Sequence, residues 1–334
     1  MAATDPPRMK RFLQSEAGAA VLWVLSALLL AAILAPWFYT GGKALADHAA
    51  GEHLSPFLEW LGRECGRAKF ARFFNRALMF SALVLLPVLV MRLRKLRAKE
   101  GPSPYPLEKT GLPRALVQIA TSCLIAGVLL WATGLLLVTV GAYVKDPHAD
   151  AIGNVIGKTL PPAILAPLVE ECLFRGFLLG LWLRYAKPLT AAIGNSLLFA
   201  FMHFLQPPDG TQIADPHSAL AGFDLLGKIA LHFTNPAFFV TEFATLFCIG
   251  MILAWARLRT SCLWFAMGLH AGWVAAFKGF NQLYSNVDAS PWHPWGVGED
   301  LRSGLVPLCA LVVTAFVCHF AMKQWDRNPK PFNS

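Results

Sequence analysis

Charge is scarce in this sequence. Of its 334 residues only 15% are Asp, Glu, Lys or Arg, while 56% are hydrophobic. An ordinary soluble domain carries roughly 25% charged residues. A chain so composed cannot cover a water-facing surface of normal size, and it falls in the membrane class. The signatures of several chemistries are missing too. There is no Gly-x-Ser-x-Gly elbow for a serine nucleophile, no His-Glu-x-x-His pair for a zinc protease and no phosphate-binding loop. The seven cysteines include no Cys-x-x-Cys pair. Cys123, Cys172, Cys248, Cys262, Cys309 and Cys318 fall in or beside apolar runs and Cys65 lies in a loop, which excludes a disulfide framework. The net charge of +9 belongs to loops in a chain of this class, so no nucleic-acid partner follows from it. No internal repeat is visible, which argues against a transporter built from repeated halves.

What is present is apolar length. A spanning helix needs about 20 mostly apolar residues. Eight runs qualify, at 18–39, 73–91, 114–144, 159–183, 188–205, 236–257, 261–280 and 303–322. The first is longer than the apolar core of a secretion signal and reads as a retained span. Basic residues then order the topology. Arg8, Lys10 and Arg11 precede the first run. Arg92, Arg94, Lys95, Arg97 and Lys99 follow the second. Arg184 and Lys187 follow the fourth, Arg257 and Arg259 the sixth, and Lys323, Arg327 and Lys330 the eighth. If all eight runs span, these groups share the cytoplasmic side, and Asp47, Asp146, Asp209, Asp224 and Asp300 lie opposite. The expected fold is an all-α, polytopic transmembrane helix bundle of about eight spans with both termini inside. The connection 206–236 is expected to carry a short helix near Leu220–Phe233.

Ionisable groups at membrane depth are costly and point to function. Three lie in the fourth run, in Val169-Glu170-Glu171-Cys172-Leu173-Phe174-Arg175. Adjacent helical residues point about 100° apart, so the two glutamates cannot share a direction. Glu171 and Arg175 stand four apart and stack on one face. Glu170 is left without a local cation, which suits a general base for water. His203 lies near the outer end of the fifth run. His270 lies mid-way in the seventh, within Gly268-Leu269-His270-Ala271-Gly272-Trp273, where the small residues admit a close helix neighbour. Glu242 and His319 read as span-end groups. One free carboxylate, one paired carboxylate and two histidines permit water activation and support of an oxyanion. Glu170, His203 and His270 are equally an adequate ligand set for one zinc ion.

These residues also carry a family resemblance. The Glu-Glu-x-x-x-Arg of the fourth run resembles the first motif of the CPBP family, the CAAX-prenyl proteases and bacteriocin-processing or Abi proteins. Phe199-x-x-x-His203 resembles its second motif. The stretch Phe247 to Trp273, with Gly250, Arg257, Arg259, Leu263, Trp264 and His270-Ala-Gly-Trp, resembles the third and fourth. The likeness covers about residues 157–280.

The resemblance implies a membrane-embedded endopeptidase in which Glu170 is the catalytic base and Glu171 and Arg175 its supporting pair. His203 would bind the water, and His270 would face the oxyanion. Together with the apolar runs it divides the chain, with residues 151–285 expected as the catalytic membrane core and the segments on either side matching no family motif. Residues 1–150 would supply three N-terminal spans with a basic cytoplasmic loop, and 286–334 the last span and tail. One position departs. The family usually has Asn four residues after the last histidine; here stands Val274, which has no donor.

No cofactor is expected, with zinc at Glu170, His203 and His270 as the alternative. The expected partners are the lipid bilayer and a membrane-anchored or exported protein or peptide substrate, and the expected location is a bacterial inner membrane. A non-catalytic membrane protein, serving bacteriocin immunity or as a scaffold, is the reading from another class.

Overall fold

The computed structural model describes residues 15–51, 54–97, 105–204, 211–287, 290–293, 295–298 and 300–327. Arg8, Lys10, Arg11, Lys99 and Lys330, on which part of the expected topology rests, lie outside the described residues, as does Asp209. Each of the eight apolar runs carries helix over most of its described residues. The long helices are α1 (Glu16–Gly51), α3 (Phe70–Arg97), α4 (Leu112–Thr139), α5 (Ile152–Glu171), α6 (Pro188–His203), α8 (Ala244–Thr260), α9 (Trp264–Phe280) and α10 (Leu305–Ala321). Two shorter helices, α2 (Pro56–Arg67) and α7 (Ala221–His232), lie in connections, and α7 stands where a short helix is expected. Among the described residues the all-α expectation holds but for one small pairing. Strand β1 (Tyr143–Lys145) runs antiparallel to β2 (Tyr284–Asn286), with Tyr143 opposite Asn286. The third run is therefore not helical to its end. The chain turns at Gly141, whose φ of +76° suits a residue without a Cβ, and leaves the helix as a strand.

Among the described residues five helical stretches are long and apolar enough to cross a membrane: Gly18–Gly51, Phe70–Leu96, Leu112–Thr139, Phe239–Thr260 and Leu305–Trp325. The other three runs are the ones that carry buried chemistry. The fourth is interrupted by charge and by a π-helical stretch, Cys172–Leu178. Helices α6 and α9 have 16 and 17 residues, which reach about 24–26 Å against a hydrocarbon core of about 30 Å.

The described residues form two compact units. In the first, α1, α3 and α7 bury Ala31, Ala32, Ala35, Phe74, Leu225 and Ile229 together. Helix α7 meets α1 with almost no space between backbones: a Cβ on Gly222 would lie 2.0 Å from the Ala32 carbonyl oxygen. The Lys43 ammonium donates to the carbonyls of Cys65, Gly66 and Ala68 and so closes the turn between α2 and α3.

In the second unit α9 packs against α4, α5 and α8. Its buried side chains include Phe265, Leu269, Trp273 and Phe280, all close to fully enclosed. The small residues flanking His270 do admit a close neighbour, and it is α4. A Cβ on Gly268 would lie 2.0 Å from Ser122 Oγ and 2.4 Å from the Ile119 carbonyl. One on Gly272 would lie 2.3 Å from the Cys123 carbonyl. Backbone cannot move aside as a side-chain tip can, so Gly272→Ala is expected to destabilise by about 1–3 kcal/mol. Gly153→Ala, where a Cβ meets nothing within 4 Å, is the matched control and is expected to be neutral or slightly stabilising. Denaturation midpoints of the purified variants in micelles check both; equal midpoints would refute the close α4–α9 contact.

Candidate active site

The site is built from four helices of the second unit. Helix α5 ends at Glu171 and opens into the π-helical stretch, so that the Leu179 N–H bonds the Phe174 carbonyl five residues back. Such a widened turn is rare and needs support. Asn195 of α6 supplies it, its Nδ2 donating to the same Phe174 carbonyl at 3.0 Å. Glu171 and Arg175, both fully enclosed, face each other across this opening, and Arg175 Nη1 donates to Glu171 Oε1 at 3.2 Å. The guanidinium also donates through Nη2 to the Gly250 carbonyl of α8 at 3.2 Å. Its face lies over the Phe199 ring, 4.2 Å from the centroid. Phe199 thus supports the cation from below, a role for which a flat, electron-rich face suffices.

Glu171 has a second partner. His270 Nδ1 lies 2.9 Å from the same Oε1. A buried carboxylate paired to Arg175 accepts there, so Nδ1 carries the proton. The Nε2 of His270 is then a bare acceptor in the neutral ring, and it sits 3.8 Å from Glu170 Oε2. His203 is arranged in the same way. It is the last residue of α6, and its Nδ1 reaches back one turn to the Phe199 carbonyl at 2.8 Å. A carbonyl only accepts, so this Nδ1 also carries the proton, and Nε2 faces Glu170 Oε2 at 3.5 Å. Three lone-pair-bearing atoms from three helices therefore converge. None can donate to another while both rings are neutral, which is the arrangement that receives a water molecule or a proton.

The structure thus brings together all five sequence-expected residues: Glu170, Glu171, Arg175, His203 and His270. It sorts them differently by exposure. Glu171 and Arg175 are closed off entirely, whereas the side chains of Glu170 and His203 remain 28% and 26% exposed. The exposed pair borders a cavity of about 180 Å³ whose wall includes Thr245, Trp273, Val274 and Phe277. Val274 faces the space where a donor would stand in the resembled family, and Trp273 lines it too. Among the described residues no three His, Cys, Asp or Glu side chains are grouped so as to hold a metal ion. His319 is a span-end group: its Nδ1 accepts from Arg259 Nη1 at 3.0 Å, and Arg259 forms a two-pronged pair with Asp326.

Two contributors escape the motif reading. Asn195 is one, and its signal was available: Asn195 and Ser196 are adjacent, fully buried polar residues within an apolar run. The Gly250 carbonyl is the other. A backbone acceptor leaves no mark in a sequence. The glycine itself is required by contact, since a Cβ there would lie 2.8 Å from Ser196 Cβ.

Breaking a buried pair is costlier than replacing it. Arg175→Met is therefore expected to lose about 3–5 kcal/mol by stranding Glu171. Adding Glu171→Gln should recover a large part of that loss. A double variant no more stable than the single one would show that the pair does not carry this energy.

Comparison with known proteins adds one match. Residues 153–276 match the Rce1-like family model, described as type II CAAX prenyl endopeptidase Rce1-like. The matched segment runs from the start of α5 to late in α9 and contains all five site residues, and it bears out the resemblance to the CAAX-protease family over that stretch. No curated protein and no solved structure matches the chain.

Proposed function

With residues 153–276 of a membrane-endopeptidase family, we propose that this chain cleaves a peptide bond in a membrane-linked protein or peptide by means of a water molecule activated at Glu170. The observation that carries the proposal is the convergence of Glu170 Oε2 with the Nε2 atoms of His203 and His270, at 3.5 and 3.8 Å, on the border of a mostly apolar cavity.

In this reading a water seated at that point donates one hydrogen to Glu170 and one to His203. Its lone pair attacks the scissile carbonyl carbon as its proton passes to Glu170. Glu170 then returns the proton to the departing amine. The oxyanion needs a donor, and Val274 offers none. With a proton taken up from solvent at Nε2 before the attack and kept through the cycle, His270 supplies an Nε2–H, and Glu171 fixes the ring's direction across the 2.9 Å contact. Glu171 thus acts as a positioning residue for His270 as well as the partner of Arg175. The family's name points to prenylated CAAX proteins as one substrate class; leader peptides and sorting-tagged surface proteins present the same bond.

Glu170→Ala and His203→Ala are each expected to abolish processing while the protein still accumulates in the membrane. Glu171→Gln should lower the rate by about 10- to 100-fold, the usual effect of removing a group that orients a catalytic one. Substrate capture with the Glu170→Ala chain, followed by mass spectrometry, names the substrate. Normal processing by the Glu170 or His203 variant would sink the proposal.

Zinc at Glu170, His203 and His270 is the competing route, and it would require the three side chains to draw into a tighter group than they form here. The water mechanism expects far less than one metal per chain in protein purified without chelator, and hydrolysis that survives chelation. Stoichiometric zinc whose removal stops hydrolysis would transfer the three residues to the role of ligands.

A further inference from the structure

Trp273 is a nearly enclosed side chain that leaves a donor unused. It follows His270 by three residues and precedes Val274, and all three line the cavity that Glu170 and His203 border. Positions three and four after His270 lie about 60° and 40° from it around the helix, one on each side, so the three share a face. Trp273 belongs to the apolar core of the second unit and is 5% exposed. A buried Trp usually gives its indole N–H to an acceptor. Among the described residues this N–H has no hydrogen-bond partner. It is not sealed away either. Trp182 Nε1 is a partnerless nitrogen closed off from open space, and Trp273 Nε1 is not. The open space that Trp273 adjoins is the same cavity. Val274 beside it has no N–H or O–H to offer from its side chain.

We infer that Trp273 is a further catalytic residue, whose indole N–H donates to the scissile carbonyl oxygen and stabilises the negative charge that gathers there as water attacks. The inference rests on the proposed peptide cleavage. No bond forms or breaks at the indole, which keeps its proton throughout. The proton still passes from the water to Glu170 and on to the departing amine. An indole suits such a wall, because its faces are apolar and a single edge is polar. A neutral donor fixed there does more for a developing charge than the same group in water, since nothing has to reorient when the charge appears. The second donor is the Nε2–H of His270, about one turn away on the same helix. The carbonyl oxygen is thereby directed at α9, and its carbon is left open to a water held by Glu170 and His203.

The test uses the purified full chain in micelles and a set of apolar peptides, with cleavage read by mass spectrometry. Binding is read with the same peptides carrying a phosphinate, tetrahedral and anionic, in place of one internal amide. Trp273→Phe keeps an aromatic ring and removes the N–H. It is expected to lower kcat by about 100-fold or more while KM changes little, the usual effect of losing one oxyanion donor. Its affinity for the phosphinate peptides should fall by about tenfold or more, and its affinity for the plain peptides should not. Adding Val274→Asn to Trp273→Phe supplies a side-chain N–H from the next position and should restore much of the lost kcat. A packing defect would not be repaired in that way, which separates loss of the donor from loss of fold. Native kcat in the Trp273→Phe chain overturns the inference. So does a lowered kcat with phosphinate affinity unchanged, or one that Val274→Asn leaves unrepaired. If the native chain hydrolyses nothing, the cleavage reading fails by itself. Phosphinate binding then decides: a preference for phosphinate over plain peptides that Trp273→Phe abolishes supports the donor, and equal or absent binding overturns it.

Discussion

A buried ion pair cannot stand alone at membrane depth, and the arrangement of the second unit follows from satisfying one. Glu171 and Arg175 are fully enclosed. Each leaves lone pairs or N–H groups that apolar surroundings do not meet, so each must recruit partners from other helices. Arg175 takes the Gly250 carbonyl of α8 and the ring face of Phe199 on α6. Glu171 takes His270 of α9. One pair thus sets the mutual register of α5, α6, α8 and α9. Glu170, one residue earlier and about 100° around the helix, is turned away from that pair. It borders the cavity instead, partly exposed as a side chain while its Oε2 is enclosed beside the two histidines.

The π-helical stretch and the histidine anchors complete the same logic. Widening the helix after Glu171 frees the Phe174 carbonyl to accept from both Leu179 N–H and Asn195. Each histidine is committed through Nδ1 to a fixed acceptor, a backbone carbonyl for His203 and a carboxylate for His270. Their Nε2 atoms are thereby aimed at Glu170. The two acceptors differ in chemistry. A carbonyl favours a neutral ring that holds water, whereas a carboxylate also stabilises the ring when it becomes charged. In the proposed reaction the two like residues would serve two different parts.

Much of this was legible in the amino-acid sequence where the information is local. The four-residue spacing of Glu171 and Arg175 becomes a shared face through helical periodicity alone, and the contact is present at 3.2 Å. Gly268 and Gly272 predicted a close helix neighbour, and α4 occupies that place. The helix after Leu220 and the all-α character were equally legible from apolar runs and turn residues. The strand pair was not, because β1 and β2 find each other across 139 positions, as the Ser285 bond to Asp146 illustrates. The Gly250 carbonyl was not, because backbone acceptors are the same at every residue.

By itself, then, the sequence determined the membrane class, the helices and the set of side chains able to do chemistry, since composition and a period of 3.6 residues are properties of neighbouring positions. Tertiary structure alone decided which of those side chains meet. Glu171 and His270 are 99 residues apart and lie within 2.9 Å only because whole helices pack against one another. The same packing decided that Trp273 and Val274 share a cavity with Glu170. It also turned a carboxylate and two histidines into three convergent acceptors, a relation that depends on where each Nδ1 finds its partner in space.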